Sequence, residues 1–312
     1  MVWLWKFISD GRTRWILFSN FERSILDKAY LNKEKTVELD DCIVDLDKGW
    51  RLNKNGRPNN EVIRCVNHEY KAVNREQWNA EQQLTANATF YSATSSEQNS
   101  IISTCLSLNA SINVVANGIR NEGKIIGKQI EANYIADELE SAASNDNYMV
   151  GLQCIHQYTR SSFLNTSIKK FLCNKDLSKV KNLGPYVKLF LVHFKEYSIH
   201  SNELTVYRGV NLSSEDLYAY QRAVGRGTFR WYCFTSTSKR KEVAQLYATN
   251  ALMIINLNKR YPNDGRAVDI AVLSQFPEEE EVLLRADVEF CVEKVELDTE
   301  QTKHFIYIQA YV

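Results

Sequence analysis

Residues 1–67 are dense in aromatic and β-branched residues, broken by turn signals at Asp10-Gly11 and Asn55-Gly56. VWLWKFIS and TRWILFS read as a strand pair around Asp10-Gly11. The stretch 22–31 changes to a helical period, with Ile25, Leu26, Ala29 and Tyr30 on or near one face. KTVELDD, CIVDL and EVIRCV then read as further strands, which makes this zone a small strand-rich domain with one helix. Residues 68–143 are polar and lack proline. There Ile112, Val115, Ile119, Ile126 and Ile130 fall on one helical face, while Gly118, Gly123 and Gly127 each weaken a helix by about 1 kcal/mol relative to alanine. This zone reads as a helical connector: one or two long helices packed on a neighbour, or a partly flexible linker.

From 144 to 312 the pattern is globular again. GLQCIHQYT, SIKKFL and PYVKLFLVHFKEY are helical, and from Leu204 short strands follow: LTVYRG, FRWYCFTSTS, ALMIINL, AVDIAVLS, EVLL, VEFCVEKVEL and FIYIQAYV. A helical block followed by a strand block predicts an α+β domain and not a doubly wound parallel sheet. No GxGxxG or GxxxxGK[ST] occurs, so neither a Rossmann nor a P-loop site is expected.

Composition narrows the function classes. Lys+Arg and Asp+Glu are both 38 in a chain of 312 residues, a balance that gives no support to a generic nucleic-acid or membrane-surface binder. No run of about 18 apolar residues exists to span a membrane. No secretory signal is visible, so the expectation is an intracellular, cytoplasmic or nuclear protein that is not secreted. The N-x-S/T sequons at Asn87, Asn109, Asn165 and Asn211 then read as chance matches. Cysteines stand at 42, 65, 105, 154, 173, 233 and 291, with no CxxC and no metal-ligand spacing. They are expected to be free, mostly buried thiols in a reducing compartment, and no metal is expected.

Three short elements remain: Tyr207-Arg208-Gly209, Phe234-Thr235-Ser236-Thr237-Ser238, and the glutamates 278–281 that follow Phe276-Pro277 and precede Val282-Leu283. Singly, each has an ordinary reading: a surface arginine, a strand edge leading into a helix cap, a solvated turn. Their order, and four like charges at the mouth of an apolar strand, favour a site.

Together they resemble the R-S-E group of ADP-ribosyltransferases, which includes arginine-specific ecto-enzymes and binary toxins. The matching residues are Arg208, Ser236-Thr237-Ser238 and Glu279-x-Glu281, with Trp231, Tyr247, Tyr158-Thr159 and Asn165 in supporting places. The resemblance covers about 144–312. It implies a helical N-terminal part and two packed β-sheets around an NAD cleft, with NAD as substrate. Arg208 would take the pyrophosphate through parallel charge-assisted bonds. Glu281 would stabilise positive charge on the ribose as nicotinamide leaves, with Ser236 hydrogen-bonded to it. Glu279 would orient an acceptor arginine and take its proton; on a strand it would share a face with Glu281. Glu278 and Glu280 offer the alternative register. Gly209, Thr237 and Ser238 would line the cofactor site, and Tyr247 is either there or plain core.

Residues 1–67 resemble a WWE domain, through Trp5, Trp15, the Leu26, Ala29 and Tyr30 helix, Val44-Asp45-Leu46, Asn53, Gly56 and Arg64. Asp27 stands where that family carries a glutamate. Trp5, Phe7 and Trp15 with Arg51, Arg57 and Arg64 would form an ADP-ribose pocket, or the aromatics are core. The expected function is mono-ADP-ribosyl transfer from NAD to arginine on a protein acceptor, targeted by the WWE domain to ADP-ribosylated or ubiquitin-pathway partners. NAD glycohydrolysis and non-catalytic ADP-ribose reading are the alternatives.

Overall fold

The computed structural model describes residues 2–9, 12–66, 90–93, 99–144, 147–160, 162–194, 203–258, 260, 265–274, 276–298 and 303–312. The first unit holds β1 (Val2–Ser9), β2 (Arg12–Leu17), α1 (Asn20–Leu31), β3 (Thr36–Glu38), β4 (Ile43–Asp45), β5 (Trp50–Leu52) and β6 (Pro58–Val66). Its strands form one antiparallel sheet in the order β2-β1-β6-β5-β4-β3. A capping box starts α1: the Glu22 amide donates to Ser19 Oγ at 3.2 Å, and the Ser19 amide to Glu22 Oε2 at 2.8 Å. Leu26 and Ala29 are buried against Trp3, Phe18, Val37, Leu39 and Val44, whereas Tyr30 is half exposed, edge-on to Trp3. Asp27 accepts the Trp3 indole N–H at 2.7 Å. The pattern missed β5, which is three residues long and follows the Gly49 turn at φ 68°.

Six helices come next: α2 (Asn99–Ser107), α3 (Ile112–Ile125), α4 (Gln129–Ala143), α5 (Asn147–Thr159), α6 (Phe163–Cys173) and α7 (Val180–Phe194). Their buried faces share one core, from Ile101 through Val115, Ile135, Ile155, Ile168 and Phe190 to Val268 and Leu283 of the main sheet. The apolar face expected from Ile112 to Ile130 is broken. Helix α3 ends at Ile125, Ile126 is exposed, and Gly127 at φ +73° turns the chain into α4. Gly118 and Gly123 lie at close approaches. A Cβ at Gly118 would meet the Asn182 carbonyl at 2.1 Å, and one at Gly123 would meet the Ala132 Cβ at 2.2 Å. Their helix propensity cost is the condition for tight α3–α7 and α3–α4 packing. The helix expected to begin at Pro185 instead begins at Val180, continuing a 3₁₀ turn at Leu177–Lys179.

The first unit docks on this layer. Asp40 accepts hydrogen bonds from the Ile130 and Glu131 amides, at 2.8 and 3.1 Å, and so caps α4, which has no cap of its own. Lys128 pairs with Asp41, and Arg160 donates to Ser24 Oγ at 2.7 Å.

The main sheet contains β7 (Phe90–Ser92), β8 (Glu203–Val210), β9 (Phe229–Trp231), β10 (Thr235–Ser238), β11 (Ala251–Asn258), β12 (Ala267–Asp269), β13 (Glu281–Leu284), β14 (Glu289–Asp298) and β15 (Lys303–Tyr311), with helices α8 (Ser214–Ala223) and α9 (Lys241–Tyr247). Its order is β12-β13-β10-β8-β11-β15-β14-β9-β7. Strand β7, in the polar connector, was not expected; Phe90 anchors it against Tyr220, Phe229 and Phe290. FRWYCFTSTS is not one strand. It bends at Tyr232-Cys233, so that β9 pairs with β14 while β10 pairs with β13 and β8. AVDIAVLS keeps only Ala267–Asp269 as strand, because the Leu273 and Ser274 amides turn back to the Ile270 carbonyl. In β13, Leu283 faces the helical core and Val282 and Leu284 face the second core, which explains the unbroken apolar VLL.

Candidate active site

Strands β8 and β10 pair at one residue couple only, Tyr207 with Ser238. Beyond it they part. There Arg208 Nη1 donates to the Ser236 carbonyl at 2.9 Å, and among the described residues no carboxylate pairs with this guanidinium. On the far side of β10, Ser238 stands opposite Glu281 and Ser236 opposite Leu283. Tyr207, Ser238 and Glu281 thus form one row across three strands, with about 10 Å from the first to the third at ordinary strand spacing. The side chains of the middle strand fasten it: Thr237 Oγ1 donates to the Val282 carbonyl and Ser238 Oγ to the Glu279 carbonyl, both at 2.6 Å. The Ser236 hydroxyl makes no hydrogen bond to Glu281 among the described residues; its contact with the set is through its carbonyl.

The glutamates are not all on a strand. Pro277–Glu279 is a 3₁₀ turn, Glu280 closes it in the left-handed region at φ 46°, and Glu281 is the first residue of β13. Glu279 and Glu281 therefore come together through a turn and not through strand periodicity. Glu278 is exposed, and the Glu280 carbonyl accepts the Lys239 amide at 3.1 Å. The Glu279 side chain accepts a hydrogen bond from the Tyr247 hydroxyl. Tyr247 ends α9, which lies directly over Gly209: a Cβ there would stand 2.1 Å from the Ala244 carbonyl and 2.4 Å from the Ala248 amide. Gly209 is thus needed where the helix meets the strand.

Helices α5 and α6 supply the floor. The Tyr158 hydroxyl is buried without a hydrogen-bond partner, with Glu281 and Arg208 among its electrostatic neighbours; burial holds its pKa well above the ordinary phenol value. Asn165 Nδ2 donates to the Tyr158 carbonyl at 2.6 Å. One turn beyond Asn165, Lys169 faces Arg208, Glu281, Cys173 and Cys233; burial, with Arg208 adding to it, pushes its ammonium pKa down. Lys169 was not singled out in the sequence, although its place four residues after Asn165 on one helical face was legible. Cys173 and Cys233 were expected only to be free thiols, with most of the seven buried. Of the seven free cysteines only Cys42, Cys105 and Cys154 are buried.

In the first unit Arg51 stacks over Trp5 at 4.4 Å and pairs with Glu61 at 2.5 Å. Its Nη1 is thus met by Glu61. Arg57 is exposed; the side chains of Phe7, Trp15 and Arg64 lie outside the described residues. Among the described residues no cluster of His, Cys, Asp and Glu is placed to hold a metal ion, and no helix is long and apolar enough to cross a membrane.

No curated protein matches the chain. Solved structures similar to it include the ADP-ribosyltransferase HopU1 of Pseudomonas syringae pv. Tomato DC3000, at 18% identity, TM-score 0.43, 70% of this chain and 99% of that one. C3stau2 from S. aureus, solved with NAD, is 22% identical at TM-score 0.41 over 58% of this chain and 94% of that one. The eucaryotic mono-ADP-ribosyltransferase ART2.2 is 18% identical at TM-score 0.41 over 72% and 91%. A family model described as ADP-ribosyltransferase exoenzyme matches residues 151–312, the whole of the segment that carries Arg208, Ser236, Glu279 and Glu281, and the chain belongs to that family.

Proposed function

We propose that this chain is a mono-ADP-ribosyltransferase that cleaves NAD and passes ADP-ribose to an arginine of a protein acceptor. The observation that carries this reading is the single row Tyr207–Ser238–Glu281, which sets Arg208 and the two carboxylates Glu279 and Glu281 around the point where β8 and β10 part. The residues fit NAD. Arg208 has unpaired donors for a pyrophosphate, Lys169 adds a second cation, and the orphaned Tyr158 hydroxyl lies among them. Glu281, at the strand mouth, can stabilise charge that develops on the ribose as nicotinamide departs. Glu279 is the acceptor-side carboxylate. It is ordered by Tyr247 and can align a guanidinium and receive its proton.

The first unit fits a WWE-like partner-binding module, as its hairpin, helix and strand order suggests, directing the transferase to ADP-ribosylated or ubiquitin-pathway proteins. An intracellular, reducing setting fits the seven free thiols.

The test incubates wild type, Glu281→Gln and Glu279→Gln with labelled NAD and poly-arginine, following nicotinamide release and label transfer. Wild type performs both. Glu281→Gln loses both by about 100-fold or more, and Glu279→Gln keeps release but loses transfer. Undiminished release by Glu281→Gln refutes the assignment. Release without any transfer by wild type identifies an NAD glycohydrolase. No turnover, with ADP-ribose binding instead, identifies a reader.

A further inference from the structure

Two partly exposed thiols meet at the cleft floor. Cys173 is the last residue of α6 and Cys233 sits in the bend between β9 and β10, three residues before Ser236. The Cys173 thiol lies within hydrogen-bonding reach of the Cys233 thiol. The segments that carry them are pinned together independently of the thiols: the Lys175 ammonium lies 4.7 Å over the Tyr232 ring, and that ring stacks on Tyr91 at 4.7 Å. The groups facing the pair come from four elements: Lys169 on α6, Arg208 on β8, Tyr158 on α5 and Glu281 on β13.

We propose that Cys173 and Cys233 form a redox-active dithiol, oxidised by hydroperoxides to a disulfide, whose state sets the charge of the nucleotide cleft. The Cys233 thiol pKa is lowered to about 7, first by the hydrogen bond from Cys173 and then by Arg208 and Lys169 acting against burial. At pH 8 the thiolate therefore predominates, and the thiolate is the nucleophile. It attacks a peroxide oxygen, the O–O bond breaks, and Cys233 becomes a sulfenic acid as the first water forms. The Cys173 sulfur attacks that sulfenic sulfur and the second water leaves. In sum, two thiols give up two protons and two electrons, and one hydrogen peroxide becomes two waters. The other groups facing the pair stay unchanged, but the anion beside Arg208 and Lys169 is gone. Both cations then meet the phosphates of an incoming dinucleotide without a thiolate competing for them. This consequence rests on the NAD reading above; the disulfide itself does not.

The experiment treats the full-length protein with hydrogen peroxide at pH 8, maps cross-linked peptides by mass spectrometry, and titrates NAD before and after. A Cys173–Cys233 cross-link reversed by dithiothreitol is expected, with NAD affinity about threefold to tenfold tighter after oxidation. Cys233→Ser should bind NAD as tightly as the oxidised protein and ignore peroxide. Cys173→Ser should stop at a sulfenic acid on Cys233 that dimedone traps, which keeps the test decisive if the other variant misfolds. Oxidation confined to Cys65 or Cys291 overturns the dithiol. A cross-link with NAD binding unchanged overturns the charge link, and a cross-link in a protein that binds no NAD in either state overturns the NAD reading instead.

Discussion

Replacing Glu131 with glutamine should change how stability depends on pH. Glu131 lies on α4, buried where the first unit, α4 and the start of α6 meet, and its Oε1 accepts the Phe163 amide at 2.8 Å. Burial raises its carboxyl from 4.5 to about 7, against the opposing pull of the Phe163 N–H and Lys128. A folded-state value above the unfolded one means that the folded protein holds the proton more firmly. The stabilisation is complete below about 4.5 and is lost as pH rises through about 7. The gap between those values, at about 1.4 kcal/mol per pH unit, is worth about 3 kcal/mol. Glutamine keeps an acceptor for the Phe163 amide and has no charge to bury, but it gives up the attraction to Lys128. Lys128 retains Asp41, so that loss is small. Urea unfolding of both proteins from pH 4.5 to 8 should therefore find the wild type losing up to about 3 kcal/mol relative to Glu131→Gln, mostly between pH 5 and 7. Parallel stability curves across that range would refute the reasoning.

Two substitutions probe the cleft. Gly209→Ala forces a Cβ into the Ala244 carbonyl and should destabilise by about 1–3 kcal/mol while displacing α9 and slowing NAD cleavage; an unchanged melting temperature would refute the close contact. Tyr247→Phe keeps the ring and removes the hydrogen bond to Glu279, so the ratio of transfer to hydrolysis should fall about tenfold with nicotinamide release little changed. Equal losses in both would place Tyr247 on the nucleotide instead.

Among the elements that could be read from sequence were those whose period is set by burial on one face, such as the first hairpin, α1, α5 to α7, and strands β8, β11, β14 and β15. Those that escaped were fixed by tertiary partners. Strand β7 is three residues held by the aromatic group around Phe90. The break between β9 and β10 at Tyr232-Cys233 is set by which neighbour each half pairs with, which no local pattern encodes. The glycines of α3 read as liabilities because propensity is local, while what they accommodate comes from other elements: the Asn182 carbonyl of α7 at Gly118 and Ala132 of α4 at Gly123. In the site, Arg208, Ser236 and Glu281 were legible as motifs. Lys169 and the thiol pair were not, since their meaning arises only when the fold brings α6 near Arg208, Glu281 and the bend at Cys233.

The glutamate run shows how chemistry and fold constrain one another here. Strand β13 is buried on both faces, so it can carry no charge after its first residue. Carboxylates serving a cleft at its end must therefore crowd just before Val282. A straight strand would hold Glu279 and Glu281 on one face and Glu278 and Glu280 on the other, two like-charged pairs at short range. The chain turns instead. Glu280 accepts the left-handed region, at a cost of about 1 kcal/mol for a residue with a Cβ. Hydrogen bonds from Ser238 Oγ to the Glu279 carbonyl, from the Lys239 amide to that of Glu280 and from the Ile270 amide to that of Glu281 hold the turn in place. Glu278 goes to solvent, Glu279 to Tyr247, and Glu281 to the mouth of the strand. The strain at Glu280 separates two carboxylates that a regular strand would have made equivalent, and two inequivalent carboxylates are what the proposed cleavage and acceptor steps would require.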